Sequence, residues 1–84
     1  MKTIIIYSGA ACAPCKALKY EMASLEAELA GVTVEERDIK QHMTEVKALG
    51  LRTTPTVVYE GRILFTGNLG REAIVNCLKA NGVI

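Results

Sequence analysis

Near its start the chain carries a strand-favouring run, the β-branched Thr3-Ile4-Ile5-Ile6 followed by the aromatic Tyr7, that stops at Ser8-Gly9. It is too short for a helix and lacks apolar–polar alternation, as a strand covered on both faces does. From residue 14 to about 29 the pattern changes. Cys15, Leu18, Met22, Leu25 and Leu29 recur at intervals of three and four, while Lys16, Lys19, Glu21, Glu26 and Glu28 take the other faces. That periodicity predicts an amphipathic helix, with Pro14 in its first turn, where a missing N–H costs nothing, and Gly31 at its stop. Val32-Thr33-Val34 then opens a second β-rich stretch, which turns polar through Glu35-Glu36-Arg37-Asp38-Ile39, as an edge strand would. Parallel strands need a crossover of a dozen or more residues and antiparallel ones do not. A helix-bearing connection of about 25 residues therefore predicts a right-handed βαβ unit with parallel strands and the first strand central.

The remainder continues the alternation. Met43, Val46 and Leu49 mark a short helix ended by Gly50, and two β-rich runs, 55–59 and 62–66, flank Glu60-Gly61 as a hairpin in which the glycine supplies positive φ. Ile74, Val75 and Leu78 give a last helix, about 71–80, with an apolar face for the sheet. The order is βαβαββα, an α/β chain with a four-stranded mixed sheet flanked by helices. At 84 residues, with no repeat, linker or proline-rich stretch, it reads as a single domain over 1–84.

Half of the residues are hydrophobic and 23% are charged, which excludes a disordered tail. Ten Lys and Arg against nine Asp and Glu, with no run of like charge, leave no footprint for nucleic acid or an anionic membrane. The apolar run at the start is far below the roughly 20 residues of a membrane span. Gly9-Ala10-Ala11-Cys12 behind it has the look of a lipoprotein signal, yet the run is too short to serve as one. Three cysteines, 12, 15 and 77, are too few for a secreted disulfide scaffold. The expectation is a soluble, cytoplasmic monomer in a reducing compartment, without nucleic-acid or membrane partners.

Cys12-Ala13-Pro14-Cys15 stands between the first strand and the first helix. Free N–H groups and the positive end of the helix dipole there stabilise a thiolate, lowering a thiol pKa from about 8.5 toward 7 or less. Cys12, in the turn, is the expected nucleophile. Cys15, one turn in and on the stripe with Leu18 and Met22, is the expected resolving thiol. The same pair is half of a zinc or iron–sulfur ligand set, but the chain offers only Cys77 and His42 to complete it, neither at paired spacing. No bound cofactor or metal is expected; the redox group is the Cys12–Cys15 pair itself.

With these residues in view the chain resembles the thioredoxin/glutaredoxin superfamily, in the short form that begins at the dithiol strand, over nearly its whole length. Cys12-Ala13-Pro14-Cys15-Lys16 resembles the thioredoxin motif, with Ala13 where thioredoxins carry glycine. Gly50-Leu51-Arg52-Thr53-Thr54-Pro55-Thr56-Val57 resembles the segment holding the family's cis-proline, and Gly67-Asn68-Leu69 the glycine-containing turn before the last helix. The resemblance implies a minimal thioredoxin fold and a thiol–disulfide oxidoreductase that reduces protein disulfides, ribonucleotide reductase among them, through a mixed disulfide. It implies a cis Thr54-Pro55 bond against the dithiol, a Thr54 backbone that pairs with an extended substrate, and Gly67 at the substrate site. Arg52 is either a rim cation holding an acidic substrate group or a solvated loop residue.

Two positions depart from the pattern. Ala11 replaces the tryptophan that thioredoxins place before the first cysteine, and Ile6 replaces their buried aspartate. The electron donor is a thioredoxin-reductase-type flavoenzyme or glutathione. The second would make the chain a glutaredoxin, although Gly67-Asn68-Leu69-Gly70-Arg71-Glu72 lacks the aspartates with which glutaredoxins hold glutathione. The remaining alternative is a thioredoxin-fold binding subunit. Cys77 reads as a small buried hydrophobe, His42 as a surface residue, Tyr7 and Tyr59 as packing aromatics, and Met22 and Met43 as core.

Overall fold

The computed structural model describes residues 2–84. Along the chain run β1 (Lys2–Ser8), α1 (Ala13–Ser24), β2 (Val32–Asp38), a 3-10 turn (Ile39–Gln41), α2 (Met43–Leu49), β3 (Thr56–Tyr59), β4 (Arg62–Thr66) and α3 (Arg71–Ala80). The sheet order is β2-β1-β3-β4. β1 lies parallel to β2 and antiparallel to β3, and β4 closes a hairpin on β3. The α/β architecture, the mixed four-stranded sheet, the central β1 and the edge position of β2 are those read from the sequence.

Side-chain alternation gives β1 two buried faces. Ile4 and Ile6, opposite Tyr59 and Val57 on β3, join Phe65 of β4 on one face. Leu18, Met22, Leu25 and Leu29 pack there with Ile74, Leu78 and Val83. Each fully buried leucine or isoleucine of this cluster contributes about 1.5–3 kcal/mol relative to exposure. Tyr7 of β1 and Val58 of β3 are buried outside that cluster, on the other face, where Tyr7 meets α2 through Glu45.

Four sequence expectations are corrected. α1 ends at Ser24 rather than near Leu29. The Ser24 hydroxyl donates back to the Glu21 carbonyl at 2.6 Å and the Ser24 carbonyl accepts from Arg71 of α3 at 2.7 Å, while Leu25 and Glu26 donate to carbonyls three residues back. The helical ladder gives way to turns there. Leu25 and Leu29 stay in the core, so their spacing reported burial correctly and helix length wrongly. β2 stops at Asp38, whose carboxylate accepts from Lys40 N at 2.8 Å and turns the chain, so Ile39 begins the 3-10 turn. Pro55, which has no N–H for a ladder, precedes β3 instead of opening it. Met43 is 47% exposed rather than core, because the seven-residue α2 buries none of its side chains fully. The hairpin turn places Glu60 as well as Gly61 at positive φ, 51° and 75°, as a two-residue turn that follows strand twist requires.

Candidate active site

β1 ends at Ser8 against Asp38 of β2, while β3 begins and β4 ends beside it, with Thr56 paired to both Tyr7 and Thr66. One end of the sheet thus gathers residues 8–16, 38–41, 51–55 and 66–70. Cys12 is the N-cap of α1 in extended conformation, and Pro14 follows in the first turn, where it removes no helical hydrogen bond. The Cys15 N–H donates to Cys12 Sγ at 3.2 Å, and Cys12 and Cys15 form a disulfide with 5.2 Å between Cα atoms. Cys12 is half-buried whereas Cys15 is only 3% exposed, in line with Leu18 and Met22 on the core face of α1. The sulfur at the cap therefore has both the helix-terminal N–H and access to solvent, and its partner has neither.

The opposite wall is the loop before β3. The Thr54-Pro55 peptide bond is cis, and Pro55 is fully buried. Thr54 Oγ1 lies 3.5 Å from Cys12 Sγ and donates toward it. Thr56 Oγ1 donates to the Thr53 carbonyl at 2.7 Å, which ties the loop to the start of β3. Gly67 N donates to the Pro55 carbonyl at 2.8 Å, so Gly67 is a backbone support of this loop. Gly9 passes under Thr54, where an added Cβ would stand 3.6 Å from Thr54 Oγ1. Ala11, Ala13, Pro14, Lys16 and Arg52 are exposed around the disulfide, and Arg52 lines a small cleft with Ile39, Val46, Leu51 and Thr54. Ile6 is buried, and the buried polar side chains among the described residues are Ser8 and Thr56, so no acid is buried beside Cys15.

Behind the site stands a polar cluster that sequence reasoning did not find. Glu45 of α2 accepts from the Tyr7 hydroxyl at 2.7 Å and from Arg37 of β2, and its second oxygen meets His42 Nδ1 at 3.0 Å. Arg37 also donates to Glu35 at 2.9 Å. The Tyr7 hydrogen bond above all, with those from His42 and Arg37, holds the Glu45 carboxyl below its ordinary range. Burial, and secondarily Glu45, pushes the Tyr7 phenol above its own. His42 is thus half-buried and partnered, correcting its assignment to the surface. The one available signal was the i,i+3 spacing of His42 and Glu45. Cys77 is half-buried against the core, its Sγ 3.7 Å from the Leu64 carbonyl. Among the described residues no three His, Cys, Asp or Glu side chains gather where they could hold a metal ion. No helix there is long and apolar enough to cross a membrane.

A family model described as a thioredoxin domain matches residues 1–79. The chain belongs to the thioredoxin family. No curated protein sequence matches it significantly. Among solved structures it is similar to desulfothioredoxin from Desulfovibrio vulgaris Hildenborough in its reduced form, at 19% identity and a TM-score of 0.82 over 94% of this chain and 80% of that one. Thioredoxin from Trypanosoma brucei brucei superposes with a TM-score of 0.78 at 19% identity, over 96% of this chain and 74% of the other. A structure described as a malarial protein does so with 0.78 at 12% identity, over 95% and 96%. These likenesses concern the fold. A thioredoxin domain with a disulfide between the two cysteines of its Cys-x-x-Cys motif is a thiol–disulfide oxidoreductase.

Proposed function

We propose that this thioredoxin reduces disulfides in proteins, with Cys12 as nucleophile and Cys15 as resolving thiol. The observation that carries the reading is the asymmetry of the pair: Cys12 at the accessible N-cap of α1, Cys15 sealed against the core. In the reduced protein the Cys12 thiolate, stabilised by the helix N-terminus and the Thr54 hydroxyl, attacks one sulfur of the substrate disulfide. The first substrate thiolate leaves and a mixed disulfide forms. The Cys15 thiol attacks Cys12 Sγ, the Cys12–substrate S–S bond breaks, and the Cys15 proton passes to the departing substrate sulfur, which leaves as the second thiol. Two electrons pass to the substrate, leaving the Cys12–Cys15 disulfide. Thr54 and Pro55, with Gly67 supporting them, offer the backbone beside which an extended substrate segment lies.

A thioredoxin-reductase-type flavoenzyme is the donor in this reading. The turn at 67–70 has no carboxylate, and the Asn68 side-chain oxygen accepts from Gly70 N at 3.3 Å, so the ammonium of glutathione lacks a charged partner there. A charge-assisted hydrogen bond contributes roughly 1.5–3 kcal/mol, about ten- to a hundredfold in affinity. Two parallel assays decide the donor: NADPH with a thioredoxin reductase, and glutathione with glutathione reductase. Turnover in the second alone would make the chain a glutaredoxin.

The roles of the thiols are tested by trapping. Cys15→Ser should accumulate a mixed disulfide at Cys12 with half of a disulfide peptide, seen as a mass increase, whereas Cys12→Ser should accumulate none. Equal trapping by both variants overturns the assignment.

A further inference from the structure

The charges that ring the dithiol are unbalanced. On the four segments gathered at that end of the sheet, 8–16, 38–41, 51–55 and 66–70, the ionisable side chains other than the cysteines are Lys16, Lys40, Arg52 and Asp38. Asp38 is committed to capping Lys40 N. Lys16, Lys40 and Arg52 are exposed and form no ion pair among the described residues. Neighbouring charges cancel: Lys19 pairs with Glu36, Arg37 with Glu35 and Glu45, and Arg71 with Glu28. Three cations against one anion thus stand around the disulfide in a chain whose whole formal charge is only +1.

Lys16 and Arg52 stand on the two chain segments that meet at the reactive sulfur. Lys16 follows Cys15 in the first turn of α1, its N–H bonded to the Cys12 carbonyl at 3.3 Å. Arg52 lies two residues before Thr54, whose hydroxyl reaches Cys12 Sγ from the other wall. A substrate lying across Cys12 passes both segments.

We propose that this face selects an acidic polypeptide partner, one whose disulfide is flanked by Asp or Glu. The inference deepens the proposed reduction of protein disulfides and rests on it. Carboxylates on both sides of the partner's disulfide meet Lys16 and Arg52 within one Debye length, about 8 Å at physiological salt. Opposed charge there raises encounter rate and orients the disulfide for in-line attack by Cys12. A lysine-flanked disulfide meets repulsion on both sides.

The test uses the reduced full chain and three peptides with one common disulfide loop, flanked by Glu, Ser or Lys, with reduction followed after acid quench. At about 20 mM salt the Glu peptide should be reduced roughly tenfold faster than the Lys peptide, the ratio falling to within about twofold at 0.5 M salt. Lys16→Glu with Arg52→Glu should invert the order, read as the ratio of the Glu-peptide to the Lys-peptide rate within the one variant so that a common change in Cys12 reactivity cancels; Lys79→Glu, in the last turn of α3, should leave that ratio unchanged. Equal rates for the Glu and Lys peptides, or a preference untouched by the double reversal, overturn the inference and leave disulfide reduction standing. Failure to reduce even the Ser peptide removes both. Oxidised glutathione reduced faster than the Glu peptide at equal concentration also overturns it, because the selected anion would then be the small molecule.

Discussion

Cys12 and Cys15 share one chemistry but stand in unequal surroundings, and the proposed division of work between them rests on that difference. Thr54 adds to the division, since its hydroxyl can favour a thiolate on Cys12 but does not serve Cys15. Thr54→Val keeps the shape and removes the donor. A hydrogen bond to a charged group contributes roughly 1.5–3 kcal/mol, so alkylation of reduced Cys12 by iodoacetamide at pH 7 should slow about tenfold or more; an unchanged rate would mean that the 3.5 Å contact does not stabilise the thiolate. Cys77, on α3 against Leu64, lies outside the proposed cycle. Cys77→Ala should leave peptide reduction unchanged and cost at most a few kcal/mol of stability, measured by urea unfolding. The dithiol was legible in the sequence because a Cys-x-x-Cys pair at a strand–helix junction has few other uses. Thr54 and Gly67 became legible only through family resemblance, because their contacts span the fold. Met43 was misread because its spacing was right and its helix too short to bury it.

Glu45 shows what periodicity does not disclose about an element. Its partners come from β1, β2 and the N-cap of α2, with Tyr7 separated from it by 38 positions. No local pattern announces such a junction, whereas the hydrophobic stripes of α1 and α3 announced their packing directly. The junction gives α2 a pH-dependent attachment. Because the folded Glu45 carboxyl titrates below its ordinary value, it contributes stability that is complete above about 4.5 and is lost as pH falls through the lowered value. Glu45→Gln should therefore lower Tm at pH 7, the difference from the parent shrinking toward zero as pH falls through the lowered value. The Tyr7 phenol has the opposite linkage: with its value raised, the neutral form stabilises the fold up to about pH 10 and that contribution declines as pH rises further. A Tm difference for Glu45→Gln that is constant from pH 7 to pH 3 would show that the carboxylate charge does not hold α2.

In the whole molecule, stability runs from a rigid centre to a loosely held side. β1 is paired along both edges and covered on both faces, while β2 leaves one edge to solvent, guarded by the charged side chains of Glu35, Glu36 and Arg37. α1 is rooted by Cys15, Leu18 and Met22 in the main core, and α3 by Ile74 and Leu78. α2 has no fully buried side chain and depends on the polar junction at Glu45. The dithiol therefore rides on the rigid side and Thr54, a few residues beyond α2, on the loose one. Local opening with few buried contacts costs the least free energy, so widening the site for a folded partner should move the wall of residues 51–55 and leave Cys12 in place. Native-state hydrogen exchange, corrected for intrinsic rates, should find residues 43–52 the fastest of the ordered backbone and residues 4–7 and 57–59 the slowest. Lowering the pH through the depressed Glu45 value should speed exchange in 43–52 selectively, as the carboxylate protonates. Protection in α2 equal to that of β1 would mean that both walls are rigid and that substrates must fit the site as it stands.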